Sequence, residues 1–208
     1  MTSIRIALCT LVVAAACGNL APSSQLPWLA GVRVLAVSDT PTEAATHDAI
    51  ALGAIDEAAY GALEVRGDLG GGEQTIVASY GLGVVVLDAA AHPVARVKPF
   101  APAGSADGIV ALAVVDGPML AVAVQTGGHR ENEVTLSLYR LGEHGLQPLF
   151  ALPVEEHEGE ATRAGGVVLM PGSLIYRAPG AAATTTWRYD AHRMRYVELP
   201  SAHPHELD

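Results

Sequence analysis

Chemistry needs acids, bases, nucleophiles or metal ligands held close together, and the densest such run in this sequence is Glu155-Glu156-His157-Glu158-Gly159-Glu160. Four carboxylates around one imidazole can chelate a cation, but a metal centre draws ligands from several segments and no partner ligands are recognisable elsewhere. Alternation of this kind reads as a solvated loop. His203-Pro204-His205-Glu206 offers an adventitious metal pair at the C-terminus. A hydrolase acting on glycan or peptide would use carboxylates such as Asp107, Asp116 or Glu158, with two of them roughly 5–10 Å apart in a cleft. Ser105 and Ser173 both lie in loops and lack the Gly-x-Ser-x-Gly frame of a nucleophile elbow. Gly70-Gly71-Gly72 is followed by a strand-like run, Thr75–Ser79, with no lysine, so it reads as a turn and not as a phosphate loop. Trp187 and Tyr189 alternate and project to one face of their strand, where they either form a sugar or peptide platform or cap a core poor in aromatics. These residues define no catalytic centre, metal site or cofactor.

The elements that would position these groups are β-strands. The chain has 208 residues, half of them hydrophobic and only 5% aromatic, so Ala, Val, Leu and Ile must build the core. Its 22 glycines and 13 prolines favour tight turns over long helices. Short apolar, often β-branched runs read as strands at Val32–Val37, Gln74–Ser79, Gly83–Leu87, Gly108–Val115, Met119–Val124, Val134–Leu141, Leu146–Leu152, Val167–Met170, Leu174–Arg177, Thr185–Tyr189 and Met194–Leu199. Asp116-Gly117-Pro118, Gly142–Gly145, Pro171-Gly172 and Asp190–Arg193 look like hairpin links. Thr42–Tyr60 is the one stretch that suits a helix. The formal net charge of −10 repels nucleic-acid phosphates and anionic lipid surfaces, which argues against both as partners.

Residues 1–5 carry one cation, Arg5, and residues 6–16 form an apolar run of eleven residues. As a helix that run covers about half of a ~30 Å hydrocarbon core, which suits a signal peptide and not a membrane span. It ends in Ala14-Ala15-Ala16-Cys17-Gly18, which resembles the lipobox of bacterial lipoproteins, with Ala14 where leucine is usual. The resemblance implies cleavage after residue 16, acylation of Cys17 and export to the cell envelope. Ordinary signal-peptidase cleavage after Ala14-Ala15-Ala16 is the alternative. Cys9 falls in the segment removed, so Cys17 is left as the lone cysteine, and acylation would remove an exposed thiol from an oxidising compartment. Residues 17–27 then form a polar tether, 28–200 a β-rich repeat domain and 201–208 a disordered tail. Gly18 stands where an aspartate resembles an inner-membrane retention signal, which points to the outer membrane or cell surface.

Three hairpins align: Val84–Val97, Leu136–Leu152 and Thr186–Leu199, with turns near Asp88, Leu141 and Asp190 about fifty residues apart, and Asp39 sits a similar distance upstream. Each interval has room for about four strands, the content of a propeller blade. Gly67–Ala90 resembles one unit of the FG-GAP/VCBS repeats of β-propellers, and Trp187–Tyr196 resembles the outer hairpin of such a blade. In that family the turn holds calcium through alternating carboxylates. Here Asp68 keeps the first place, but Gly70 and Gly72 replace the next two, and Glu73 alone adds a nearby charge, too few oxygens for the ion. The expected fold is all-β, with antiparallel repeats in a small or incomplete propeller-like array; the alternative is a β-sandwich. Three or four units could close as a small four-bladed ring, with residues 29–66 making the first blade, or the array could stay an open stack. The expected function is a lipid-anchored, non-enzymatic binding or assembly module of the envelope with a protein partner, and the alternative is the carboxylate hydrolase.

Overall fold

The computed structural model describes residues 26–51, 62–79, 83–97, 108–128 and 131–200. The expected signal peptide, Cys17, the tail 201–208, Ser105 and Asp107 lie outside the described residues. In chain order the elements are β1 (Leu29–Ala30), β2 (Val34–Ser38), α1 (Glu43–Ala51), β3 (Ala62–Asp68), β4 (Glu73–Ser79), β5 (Gly83–Leu87), β6 (Pro93–Val97), β7 (Gly108–Val115) and β8 (Met119–Gly127). They continue with β9 (Glu131–Gly142), β10 (Gly145–Glu158), β11 (Ala161–Ala164), β12 (Gly166–Met170), β13 (Ser173–Arg177), β14 (Thr185–Asp190) and β15 (Arg195–Glu198). The fold is all-β.

Three sheets follow one another along the chain: β3-β4-β5-β6, then β7 to β11, then β12 to β15, each an antiparallel meander. The two N-terminal strands are added to sheets formed much later in the sequence. β2 pairs antiparallel with β7, and β1 pairs parallel with β12 through Leu29↔Val167 and Ala30↔Val168. The three hairpins aligned in the sequence are each the third and fourth strands of their meander: β5–β6, β9–β10 and β14–β15. Residues 29–66 do not form a further blade, which corrects the four-unit reading. Asp39 follows β2 and leads into α1, and no fourth sheet forms among the described residues.

Burial explains why the strands of the middle sheet read as unbroken apolar runs. Ala111, Ala113, Val115, Leu136 and Leu138 face one core, shared with Val167, Leu169 and Leu174 of the last sheet. Their neighbours Leu112, Val114, Leu120 and Val122 face a second core, shared with Leu63, Ile76, Val84 and Val86 of the first sheet. A sheet covered on both faces has no side to give to polar residues, so period-two alternation disappears. A smaller third cluster, Ala62, Val77, Val85 and Leu87, lies on the outer face of the first sheet under Ala45 of α1. Thr42 opens that helix by accepting the Ala45 N–H at 3.0 Å, an N-cap bond. The described part of α1 ends at Ala51, and the rest of the stretch expected to be helical lies outside the described residues. The sheets thus stack first on middle on last. Among the described residues no core cluster joins the outer two, so the array is an open stack.

Two glycines sit where no side chain would fit. A Cβ at Gly67 would stand 2.9 Å from Cγ1 of Val114 across the sheet interface. At Gly31, beside β12 in the last sheet, a Cβ would clash with the Leu169 carbonyl oxygen, and its φ of 79° is itself one that side chains resist. The N-terminal boundary also shifts. Leu26 is only 4% exposed and joins the core between the middle and last sheets, so residues 26 and 27 belong to the folded body and not to the tether.

Candidate functional site

The acidic run expected to be a solvated loop is the end of a strand. β10 continues to Glu158, and Glu155 to Glu158 pair with Ala164 to Ala161 of β11 on one side and with Val134 to Glu131 of β9 on the other. The ladder rescues what composition disfavours: the backbone of a charged stretch is fully paired while its side chains reach solvent at the sheet's end. A bulge decides which side chain goes where. Val154 is an extra residue between the pairs Pro153↔Thr135 and Glu155↔Val134, placed where proline cannot serve a regular ladder. Without it Glu156 and Glu158 would follow Leu152 and Val154 towards the core; with it they turn to the opposite side.

Two clusters result. On the side of the last sheet, Glu155 Oε2 accepts the indole N–H of Trp28 at 2.9 Å, and Glu155 Oε1 lies 2.6 Å from Nε2 of His157. A carboxylate only accepts here, so Nε2 is the donor, while Nδ1 of His157 lies 3.0 Å from the Thr162 hydroxyl. Glu155 is thus tied to Trp28 at the chain's entry into the fold, and His157 to Thr162 of β11. On the other side, Glu131 and Glu133 of β9 stand directly across from Glu158 and Glu156 of β10, and Arg163 of β11 closes the row. The Arg163 guanidinium reaches Glu158 at 2.9 Å and Glu156 at 3.8 Å, both pairs well exposed and screened by water. These residues, with Thr126 and Gly127 of β8, line an open groove of about 500 Å³.

Among the described residues, four carboxylates against one guanidinium give the groove a net negative charge, which suits the cationic side chains of a partner. There is no serine or cysteine among the described residues that line it. Among the described residues no three histidine, cysteine or carboxylate side chains converge as metal ligands. Glu158 and Asp116 do not act together. Asp116 sits in the β7–β8 turn, accepting the Gly117 N–H at 3.0 Å, and the nine residues of β8 put about 30 Å between that turn and the groove.

Three aspartates have carboxyls held below the ordinary carboxylate range, and in each case the cause is the turn it closes. Asp68 accepts the N–H groups of Gly70, Gly71 and Gly72 at 2.6, 3.0 and 3.2 Å, in that order of effect. Asp88 accepts from His92 and Ala90, and Asp190 from Arg193 and His192. The Asp68 carboxylate is thereby engaged by backbone amides.

Trp187 and Tyr189 do share one face of β14, but it is the inner face. Trp187 meets Tyr176 edge-on with centroids 6.5 Å apart, Tyr189 meets Tyr196 at 5.5 Å, and Tyr196 meets Phe150 at 6.1 Å. The pair therefore seals the core between the middle and last sheets and does not stand free as a platform. Burial raises the Tyr176 hydroxyl above its ordinary range, with Glu133 and Glu156 adding to the effect, and that hydroxyl donates to the Pro153 carbonyl at 2.8 Å.

Sequence reasoning named Glu158 and the acidic run but missed Glu131, Glu133, Arg163 and Trp28. The signal for the first two was the alternation Glu131-Asn132-Glu133 before an apolar strand; nothing local announces the other two. No protein-family model, curated protein or solved structure matches the chain.

Proposed function

We infer that this chain is an exported lipoprotein, acylated at Cys17, whose sheet stack serves the cell envelope as a non-enzymatic binding or assembly module. The observation that carries the reading is the acidic groove at the end of β9, β10 and β11. It is open and negative, and Trp28 links its strand to the point where the chain enters the fold. Cys17 is nine residue steps from Leu26, so a lipid there keeps the body within about 30 Å of a membrane surface. A partner protein offering a basic segment is the occupant that the groove's charge favours. The outer membrane or cell surface is the expected location, from Gly18 after the cysteine.

The test is in-cell crosslinking of the tagged full chain, with mass spectrometry of the Cys17 peptide and of whatever co-purifies. An acylated Cys17 and a near-stoichiometric partner whose crosslinks weaken several-fold in E156Q/E158Q are expected. An unmodified Cys17 in the mature protein would sink the anchor, and no partner at all would sink the assembly role.

A further inference from the structure

Among the described residues, the outer face of the last sheet is the one broad sheet face in the stack that no other element covers. The outer face of the first sheet lies under α1, and both faces of the middle sheet are in cores. Strand register fixes what the last sheet shows to solvent. Val168 pairs with Ile175, Ile175 with Thr186, Ser173 with Arg188, Arg188 with Val197, and Asp190 with Arg195. Cross-strand partners share a face, so Val168, Met170, Ile175, Val197 and Leu199 form an apolar field. Val168, Met170 and Leu199 are 41%, 38% and 39% exposed, three of the six large hydrophobic residues exposed on the described body.

The charge of this face is opposite to that of the protein. Arg177, Arg188 and Arg195 stand on it, and Arg193 in the β14–β15 turn borders it. Among the described residues the carboxylate that shares it is Asp190, which is paired with Arg193 at 3.6 Å. In a chain of net charge −10 this is a segregated cationic patch. Five strands at about 4.8 Å spacing make it about 20 Å across. Its edge strand is β1, the first strand after the tether, so the chain that leads to Cys17 joins the body at this sheet.

We propose that the outer face of β12 to β15 is the surface that lies on the membrane, with its arginines on anionic lipid phosphates and its apolar residues at the headgroup boundary. The proposal rests on the reading of Cys17 as a lipid anchor. An acyl chain confines the body near the bilayer, and a basic, apolar face gives it an orientation there, since anchoring is stable when a lipid is joined by a basic patch. The acidic groove belongs to another part of the stack, so an anionic surface would repel the groove and attract this face. The net charge alone predicts repulsion from anionic lipid; its distribution predicts a preferred side.

The test uses the full chain, produced in a bacterial host, its Cys17 mass recorded, and reconstituted into phosphatidylcholine vesicles with or without phosphatidylglycerol. An environment-sensitive fluorophore is placed at S173C on the face and, separately, at E73C in the β3–β4 turn of the first sheet. Expected is at least a twofold rise in emission and quenching by brominated lipid at position 173 only. The effect should require phosphatidylglycerol, fall in raised salt, and vanish in R177Q/R188Q with Cys17 still acylated. An acylated protein whose position 173 stays unquenched overturns the proposal while leaving the anchor intact. Disulfide-linked dimers through position 173 without lipid quenching also overturn it, assigning the face to a second copy. If Cys17 proves unacylated, the anchor fails, and flotation of the same unlabelled chain with phosphatidylglycerol vesicles judges the face. Flotation lost in R177Q/R188Q supports the face, and no flotation overturns it.

Discussion

Leu136→Ala and Leu112→Ala test the doubly buried middle sheet from its two sides. Both leucines are fully buried, Leu136 in the core with the last sheet and Leu112 in the core with the first. Truncation removes apolar carbons and leaves a cavity between two sheets that cannot close up without shifting a whole ladder, so each should cost about 3 kcal/mol. That is a large part of the 5–15 kcal/mol typical of a folded domain. The assay is urea unfolding followed by tryptophan emission, because Trp28 and Trp187 both pack against the core that holds Leu136. With a slope of about 2 kcal/mol per M, each midpoint should fall by about 1.5 M. The two side chains leave opposite faces and are separated by β8, so the double variant should be additive to within about 0.5 kcal/mol. Leu35→Ala, at 47% exposure, should cost well under about 1 kcal/mol. A Leu112→Ala variant as stable as the parent would refute the stacked architecture, since it would mean the first sheet does not cover the middle one.

Further outcomes follow from single contacts. Gly31→Ala forces a Cβ onto the Leu169 carbonyl at a positive φ, and should destabilise by more than about 1 kcal/mol, loosening β1 from β12 as read by amide exchange at Val167. Trp28→Phe keeps the ring packing but leaves Glu155 without its indole donor, for a loss of about 1–2 kcal/mol in the same urea assay. Acid should unfold the protein partly through its turns. Asp68, Asp88 and Asp190 titrate below 3.8 when folded, so the stability they add is present above that value and is lost as pH falls through their lower folded values. Asp68→Asn should therefore flatten the stability curve below pH 4, and an unchanged curve would mean the amide bonds do not hold in solution.

The class of the fold and the position of its hairpins were written locally. Apolar runs such as Gly108–Val115 and Val167–Met170, stopped by Asp-Gly-Pro and Pro-Gly, need only backbone sterics and turn chemistry to become strands and hairpins, and they do. The aligned hairpins near Asp88, Leu141 and Asp190 were legible for the same reason, because each closes the third and fourth strands of a meander. What the sequence left undecided was long-range. β1 and β2 join sheets whose other strands begin about seventy residues or more later in chain order, and no local pattern encodes a partner at that distance. The polar run Glu155–Glu158 looks like a loop because a charged strand pairs only when neighbours supply its ladder, here β9 and β11. Trp187 and Tyr189 have the right alternation for a platform, but alternation says only that they share a face. Whether that face meets water or another sheet was settled by the stacking of the last sheet on the middle one.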